Sequence, residues 1–138
     1  MKADHRTIDI SEAEVLVAVG RGVGSKENFK KVEEFADLLQ AAIGGTRPMV
    51  DAGILPFERQ VGQTGKAVFQ KLVLLCGISG AAEFSKGVEG AGTKVAINLD
   101  RQAPIFKSVD LGVVDDLNRF IPQMMTRIEK ERQIKETK

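Results

Sequence analysis

The chain has 138 residues, 43% of them hydrophobic and 28% charged, which predicts one soluble globular domain with a real hydrophobic core. Its formal net charge of +1 removes the main electrostatic reason to propose nucleic acid or an anionic membrane as a partner. No apolar run approaches the roughly 20 residues that span a bilayer, and Met1 to Ile10 lacks the apolar core of a signal peptide.

The elements are predicted in chain order from apolar runs and the small residues that close them. We expect residues 1–13 to form a polar tail or linker remnant, 14–130 the domain, and 131–138 a charged tail. Predicted strands are Glu14–Val19, Pro48–Val50, Leu72–Cys76, Lys94–Asn98 and Leu111–Val114. Ser25 is expected to cap a first helix that Gly44 and Gly45 stop, and Pro122 fits the first turn of a final helix.

The alternation of strands with helices predicts an α/β fold of three layers, with an open parallel sheet and helices on both faces, as in Rossmann-like domains. Several strands end in glycine, serine or asparagine, and parallel sheets bind their ligands at the carboxyl ends of strands. In the block from Gln60 to Asp100, the turns are rich in glycine, which lets backbone N–H groups approach a phosphate closely. Two such turns indicate an extended, phosphate-containing cofactor.

Individual motifs exclude several other functions. The segment from Gly62 to Lys66 mimics a P-loop, but Gln60 stands where the first glycine belongs and Ala67 replaces the Mg²⁺-binding hydroxyl. The single histidine, His5, falls in the polar tail, so no Ser-His or Cys-His pair is expected in the domain. Cys76 lies in an apolar strand and is predicted to be a buried hydrophobe in a reducing, cytoplasmic compartment. We therefore expect no catalytic site and no metal site.

Six motifs follow one another in an order that resembles the C-terminal FAD-binding domain of the electron-transfer flavoprotein α subunit. The resemblance extends from Ser11 to about Ile128. The motifs are Gly20-Arg21-Gly22 with Glu27-Asn28-Phe29, Val50-Asp51-Ala52-Gly53, Gln60-Val61-Gly62-Gln63-Thr64-Gly65-Lys66, Gly77-Ile78-Ser79-Gly80-Ala81, Val95-Ala96-Ile97-Asn98 and Ala103-Pro104-Ile105-Phe106. Such a series is far more specific than any single glycine motif.

The resemblance implies FAD as cofactor and a role for thirteen residues. Against the flavin ring and ribityl chain it places Arg47, Gln60, Val61, Gln63 and Thr64, with the Thr64 hydroxyl near flavin N5. Around the pyrophosphate it places Arg21, Thr46, Gly77, Ser79 and Gly80. Around the adenosine it places Asn98, Asp116 and Leu117. For Ser79, Asn98 and Asp116 the alternative is ordinary turn and helix-cap chemistry.

The implied function is an electron carrier, not an enzyme, that passes electrons from a dehydrogenase to an acceptor. Its implied partners are an electron-transfer flavoprotein β subunit and an N-terminal α domain. The family has a Gln-His pair after the Gly80 motif, whereas this chain has Glu83 and Phe84. Because Phe84 cannot donate a hydrogen bond to the flavin, a second hypothesis stays open: a divergent nucleotide-binding or assembly module that has lost flavin redox function.

Overall fold

The computed structural model describes residues 10, 13–61, 70–80 and 90–137, and within these ranges five strands form one sheet. The strands are Val15–Val19 (β1), Ala42–Gly45 (β2), Leu72–Cys76 (β3), Thr93–Asn98 (β4) and Leu111–Val114 (β5). Their order across the sheet is β2-β1-β3-β4-β5, and every pair is parallel. The prediction of an open parallel α/β sheet is confirmed.

In the described ranges, three α-helices accompany the sheet: Lys26–Leu39 (α1), Arg47–Asp51 (α2) and Leu117–Thr137 (α3). Ser25 caps α1 as predicted, because its Oγ accepts a hydrogen bond from Asn28 N at 3.1 Å. The helix is capped at its C-terminus by Gln40, which adopts a left-handed conformation with φ 54°. Short 3₁₀ helices occupy Arg21–Val23, Phe57–Arg59 and Pro104–Ser108. None of the helices in the described ranges is both long and apolar enough to cross a membrane.

The sheet separates two layers of buried apolar side chains, because successive strand residues point to opposite faces. One layer joins Val17, Leu74 and Ile97 to the buried faces of α1 and α3. The other layer joins Leu16, Val73 and Ala96 to Ala103 and Ile105, which lie at the Pro104–Ser108 turn. It also contains the apolar side chains of Ile10 and Val61. Thus, among the described elements, α1 and α3 cover one face and a 3₁₀ turn covers part of the other.

The predicted second strand is wrong. Ala42–Gly45 pairs with β1, whereas Pro48–Val50 lies in α2. Proline near the first turn favours a helix, since its missing N–H has no intrahelical partner there. Gly44 and Gly45 are strand residues instead of a helix stop: a Cβ on Gly45 would lie 2.7 Å from Val19 O and 2.6 Å from Leu55 Cδ1. Close packing against β1 therefore requires glycine at that position.

The final helix also begins earlier than predicted. It starts at Leu117, so Pro122 lies inside the helix and not in its first turn. It continues through 131–137, the segment expected to be a charged tail. At the other end, Ile10 is completely buried although it belongs to the segment expected to be a polar tail.

Candidate functional site

The carboxyl edge of the sheet gathers most of the predicted site residues. Between β1 and β3 the chain order reverses, because β2 lies on one side of β1 and the later strands lie on the other. In open α/β sheets the crevice outside such a switch point is where ligands bind. Turns after β1 and β3 meet here: Gly20 N donates to Cys76 O at 3.0 Å, and Gly22 N donates to Gly77 O at 2.9 Å.

These two turns are in backbone contact, which explains their glycines. A Cβ on Gly22 would stand 2.7 Å from both the Cα and the carbonyl oxygen of Gly77. Gly77 also has φ +67°, a conformation that side-chain-bearing residues rarely adopt. The predicted residue Arg21 lies between Gly20 and Gly22, on the 3₁₀ turn at the switch point, and it is exposed to solvent.

The turn after β3 presents polar groups to solvent. Ser79 is exposed, and its carbonyl accepts a hydrogen bond from Ile105 N at 2.8 Å. Gly80 has φ +103°, and a Cβ there would lie 2.5 Å from Ile105 N. Within the described residues, neither the Ser79 nor the Gly80 N–H donates a backbone hydrogen bond. Two amide donors beside an exposed hydroxyl are the groups that a phosphate oxygen accepts from.

At the end of β2, Thr46 and Arg47 lie beside the β1 turn. Thr46 N donates to Val19 O at 3.0 Å, and Thr46 is the residue before α2 without making a side-chain cap bond. Arg47, the first residue of α2, forms an ion pair with Asp51, with Nε and Oδ2 3.6 Å apart. Both side chains are about two-thirds exposed, at 68% and 66%. The guanidinium is therefore accessible at this corner of the edge.

Gln60 and Val61 extend the sheet beyond β2. Gln60 forms an isolated parallel bridge with Gly45, and Val61 N donates to Gly45 O at 2.9 Å. Gln60 is 5% exposed, and the side chain of Val61 packs in the apolar layer with Ile10. The next predicted residues, Gln63 and Thr64, lie outside the described residues, as do His5, Glu83 and Phe84.

The three residues expected to hold adenosine meet at the other end of the edge. A cavity of about 60 Å³ after β4 and β5 is lined by Gly22, Gly77, Ile97, Asn98, Leu99, Asp115, Asp116 and Leu117. Asn98 Nδ2 donates to Ile78 O at 3.0 Å, and its Oδ1 accepts from Asp100 N at 2.9 Å. Asp116 Oδ1 accepts from Asn118 N at 2.9 Å and so caps α3. The turn and cap bonds expected from the alternative interpretation are thus present at both residues.

Leu99 was missed by sequence reasoning. It is 69% exposed on the rim of this cavity, and its only signal in the sequence is an apolar residue directly after the strand end at Asn98. Asp115, which lines the same cavity, accepts from Asp116 N at 2.8 Å. An apolar side chain at such a rim can contact the face of a nucleotide base. The neighbouring carboxylates can then accept hydrogen bonds from hydroxyl groups of the ligand.

The described part of the chain holds neither a metal-binding cluster nor a reactive thiol. Its carboxylates and Cys76 nowhere gather into a group of three or more that could hold a metal ion. Burial raises the pKa of Cys76 to about 12, so the thiol stays protonated and unreactive at neutral pH.

The described residues of the predicted site follow the ends of the strands. Arg47, Gln60 and Val61, expected at the flavin, come after β2; those expected at the pyrophosphate come after β1 and β3, except Thr46 after β2; and those expected at the adenosine come after β4 and β5. At about 4.8 Å between neighbouring strands, the edge spans about 19 Å, enough for an extended dinucleotide. Arg21 and Arg47 supply cations along it, and within the described residues the Ser79 and Gly80 amides make no backbone hydrogen bond. The residues present therefore fit such a cofactor.

A parallel sheet with a reversal of strand order and glycine turns at its carboxyl edge is the architecture of the doubly wound α/β proteins, many of which bind nucleotides. The family model described as "Electron transfer flavoprotein FAD-binding domain" matches residues 9–89, more than half of the chain. The chain belongs to this electron transfer flavoprotein family, whose α subunits are electron carriers and not enzymes.

Curated relatives agree with this assignment. The chain is 43% identical over 129 residues to the electron transfer flavoprotein subunit alpha of Thermoanaerobacterium thermosaccharolyticum, covering 94% of this chain and 39% of the relative. Against the subunit alpha of Mycobacterium leprae it is 49% identical over 116 residues, covering 84% and 36%. Protein FixB of Clostridium saccharobutylicum is 42% identical over 127 residues, covering 92% and 38%. The chain thus spans less than two-fifths of the length of these relatives.

Proposed function

We propose that this chain is the FAD-binding part of an electron-transfer flavoprotein α-type protein, which passes electrons from a dehydrogenase to an acceptor. The observation that carries the proposal is the order of the edge: predicted flavin, pyrophosphate and adenosine contacts follow the strand order β2-β1-β3-β4-β5. Similar composition alone would not place these residues in this spatial order along one edge of the sheet.

Bound FAD would supply the redox chemistry, and the chain's residues bind it and set its electrostatic surroundings. The Arg21 guanidinium and the Ser79 and Gly80 amides would hold the pyrophosphate, with the Thr46 hydroxyl in reach of the same region. At the flavin side, the charge of Arg47 would stabilise negative charge that builds on the ring. Gln60, Val61, Gln63 and Thr64 would line the ring and ribityl chain.

At the adenosine end, apolar contact and carboxylate hydrogen bonding would act together. Asn98 already uses its amide to join the turns after β3 and β4, so we assign it mainly to shaping the cavity. Asp116 keeps its second carboxylate oxygen for the adenosine, since its first caps α3. Leu117 is buried beneath the cavity, and Leu99 would cover it.

The relatives are named subunit alpha, and they are longer than this chain. We therefore propose that the chain works with an electron-transfer flavoprotein β subunit and an N-terminal α domain, occupies the C-terminal part of such an α subunit, and acts in the cytoplasm. Dehydrogenases would be the electron donors. We propose neither nucleic acid as a partner nor insertion into a membrane.

An absorbance spectrum tests the flavin assignment directly. The chain has no Trp and no Tyr, so its own near-ultraviolet absorbance is very small and bound flavin dominates the spectrum. Protein mixed with FAD and passed through gel filtration should elute with one flavin per chain. Protein that elutes without flavin, although folded by circular dichroism, would contradict the proposal.

A second candidate function rests on Glu83 and Phe84, which replace the Gln-His pair of the family. A nucleotide-binding or assembly module without flavin redox function would account for them. It predicts that ADP binds as tightly as FAD, because only the adenosine half would then be recognised. Tighter binding of FAD than of ADP would favour the electron carrier.

A further inference from the structure

Ile10, which precedes β1 in the sequence, packs against the sheet. Its side chain is completely buried in the apolar layer that also holds Leu16, Val61 and Val73. Its carbonyl oxygen accepts from Ala13 N at 3.4 Å and from the Gln70 side-chain amide. An exposed polar tail would make no such contacts, so Ile10 is part of the domain.

Gln70 fixes this attachment to the sheet. It lies two residues before β3, its own carbonyl accepts from Gly92 N at 2.8 Å, and its side chain is 4% exposed. In the described part of the chain its Oε1 is buried without a hydrogen-bond partner. A buried acceptor without a partner costs free energy. The same orientation of the side chain, however, lets Nε2 donate a hydrogen bond to Ile10 O. Gln70 is therefore arranged to hold Ile10.

The Ile10 side chain also reaches Val61, one of the predicted flavin residues. Ile10 Cδ1 and Val61 Cγ2 both lie 3.2 Å from the point where a Cβ on Gly44 would stand. Ile10 thus packs over β2 next to Val61, whose N–H is bonded to Gly45 O. Val61 and its neighbour Gln60 are themselves two of the residues expected at the flavin, so Ile10 contacts the flavin end of the predicted site directly.

We propose that Ile10 and Gln70 are positioning residues for the flavin end of the site, with Ile10 acting as a support for Gln60 and Val61. This inference rests on the proposed function, since it concerns how FAD is held. It predicts that loosening Ile10 weakens contact with the flavin half and leaves the adenosine half unaffected, because that half lies after β4 and β5 at the far end of the edge.

The test compares FAD and ADP binding, by calorimetry, in the wild-type chain and four variants. Gln70→Met removes both polar groups with little change in shape; because one of them is unsatisfied, unfolding free energy should change little. Ile10→Ala shortens the buried side chain, and Ile10→Val is its conservative rescue. Val32→Ala is the matched control, because Val32 is fully buried on the opposite face of the sheet, in α1.

We expect Gln70→Met and Ile10→Ala to weaken FAD about tenfold, equivalent to 1.4 kcal/mol, with ADP affinity unchanged and Ile10→Val near wild type. Val32→Ala should lower the unfolding free energy without changing either affinity. If FAD and ADP weaken together, or if all variants bind FAD like the wild type, the positioning role is overturned while the proposed function stands. Folded wild-type protein that binds neither ligand would overturn both.

Discussion

The charge of Arg47 should raise the reduction potential of bound FAD, and its neighbour Asp51 should lower it. Reduction adds negative charge to the flavin, which a nearby cation stabilises and a nearby carboxylate destabilises. Arg47→Ala is therefore expected to lower the potential, and Asp51→Asn to raise it. Because the pair is about two-thirds exposed, breaking it should change stability by only about 0–1 kcal/mol, so both variants should fold.

The size of the shift follows from how exposed the pair is. A unit charge 4 Å from the flavin is worth about 1 kcal/mol in water and about 4 kcal/mol at the effective dielectric constant of a protein surface. For one electron this corresponds to about 40–170 mV. Since Arg47 is 68% exposed, the shift for Arg47→Ala should fall toward the lower value. The opposing shift for Asp51→Asn should not exceed about 40 mV, because water screens an exposed carboxylate.

Spectroelectrochemical titration of the FAD-loaded protein measures these potentials. Arg127→Ala is the matched control: Arg127 and Glu131 form a comparable ion pair, with Nε and Oε1 3.3 Å apart and the arginine side chain 74% exposed. Arg127 lies about 15 Å along α3 from its start, farther than a Debye length at physiological salt. An unchanged potential in Arg47→Ala with FAD still bound, or shifts of the same sign in the Arg47 and Asp51 variants, would refute the placement of this pair beside the flavin.

Four further predictions concern individual positions. Asn98→Ala should weaken FAD by about 1–3 kcal/mol and leave FMN nearly unchanged, because FMN lacks the adenosine; equal losses for the two flavins in fluorescence titrations would remove Asn98 from the adenosine end. Gly77→Ala should cost about 2–4 kcal/mol in urea unfolding, since it combines a positive φ with a Cβ 2.7 Å from the Gly22 backbone; a loss below about 1 kcal/mol would contradict the packing of the two turns. Burial raises the pKa of Cys76 from 9.0 to about 12, so the unfolded chain loses this proton at a lower pH than the folded chain. The free energy of unfolding should therefore fall by about 1.4 kcal/mol per pH unit between those two values. The plot of unfolding free energy against pH should be shallower by that amount in Cys76→Ala, and identical slopes would contradict the shift. If the family arrangement holds at Phe84, Phe84→His should restore a donor to the flavin and raise its first reduction potential by about 60–130 mV, whereas a potential and FAD affinity equal to the parent's would show that this position does not face the flavin.

Strand prediction succeeded where an apolar run had a clear end. The bounds of β3 and β5 were predicted correctly, and β4 begins only one residue earlier than expected, because glycine, asparagine or aspartate closes each run. It failed at β2, where Ala42-Ile43-Gly44-Gly45 contains one strong strand former and two residues that normally break helices and strands. The pairing of these residues with β1 is a tertiary effect: the neighbouring backbone leaves room only for glycine.

The placement of polar residues at the strand ends was easier to predict than the hydrogen bonds that they make. Motif order and the rule for parallel sheets were enough to expect the residues from Arg21 to Leu117 at one edge. Turn chemistry at Asn98 was among the alternatives, and its bond to Asp100 N is of that kind. The sequence could not indicate the second bond, from the Asn98 amide to Ile78 O, because that partner lies 20 residues away along the chain. It also could not identify Ile10 as a core residue, since one apolar side chain in a polar segment has no periodicity.

The central claim is that FAD lies along the carboxyl edge with its flavin after β2 and its adenosine after β5. Amide NMR spectra of the isotopically labelled chain, which at 15.0 kDa is small enough for complete assignment, test this residue by residue. We expect FMN to shift Thr46, Arg47 and Val61, ADP to shift Asn98, Leu99 and Leu117, and FAD to shift both groups. Shifts from FMN at Leu99 and Leu117, or FAD binding that leaves the carboxyl edge unperturbed, would contradict the account.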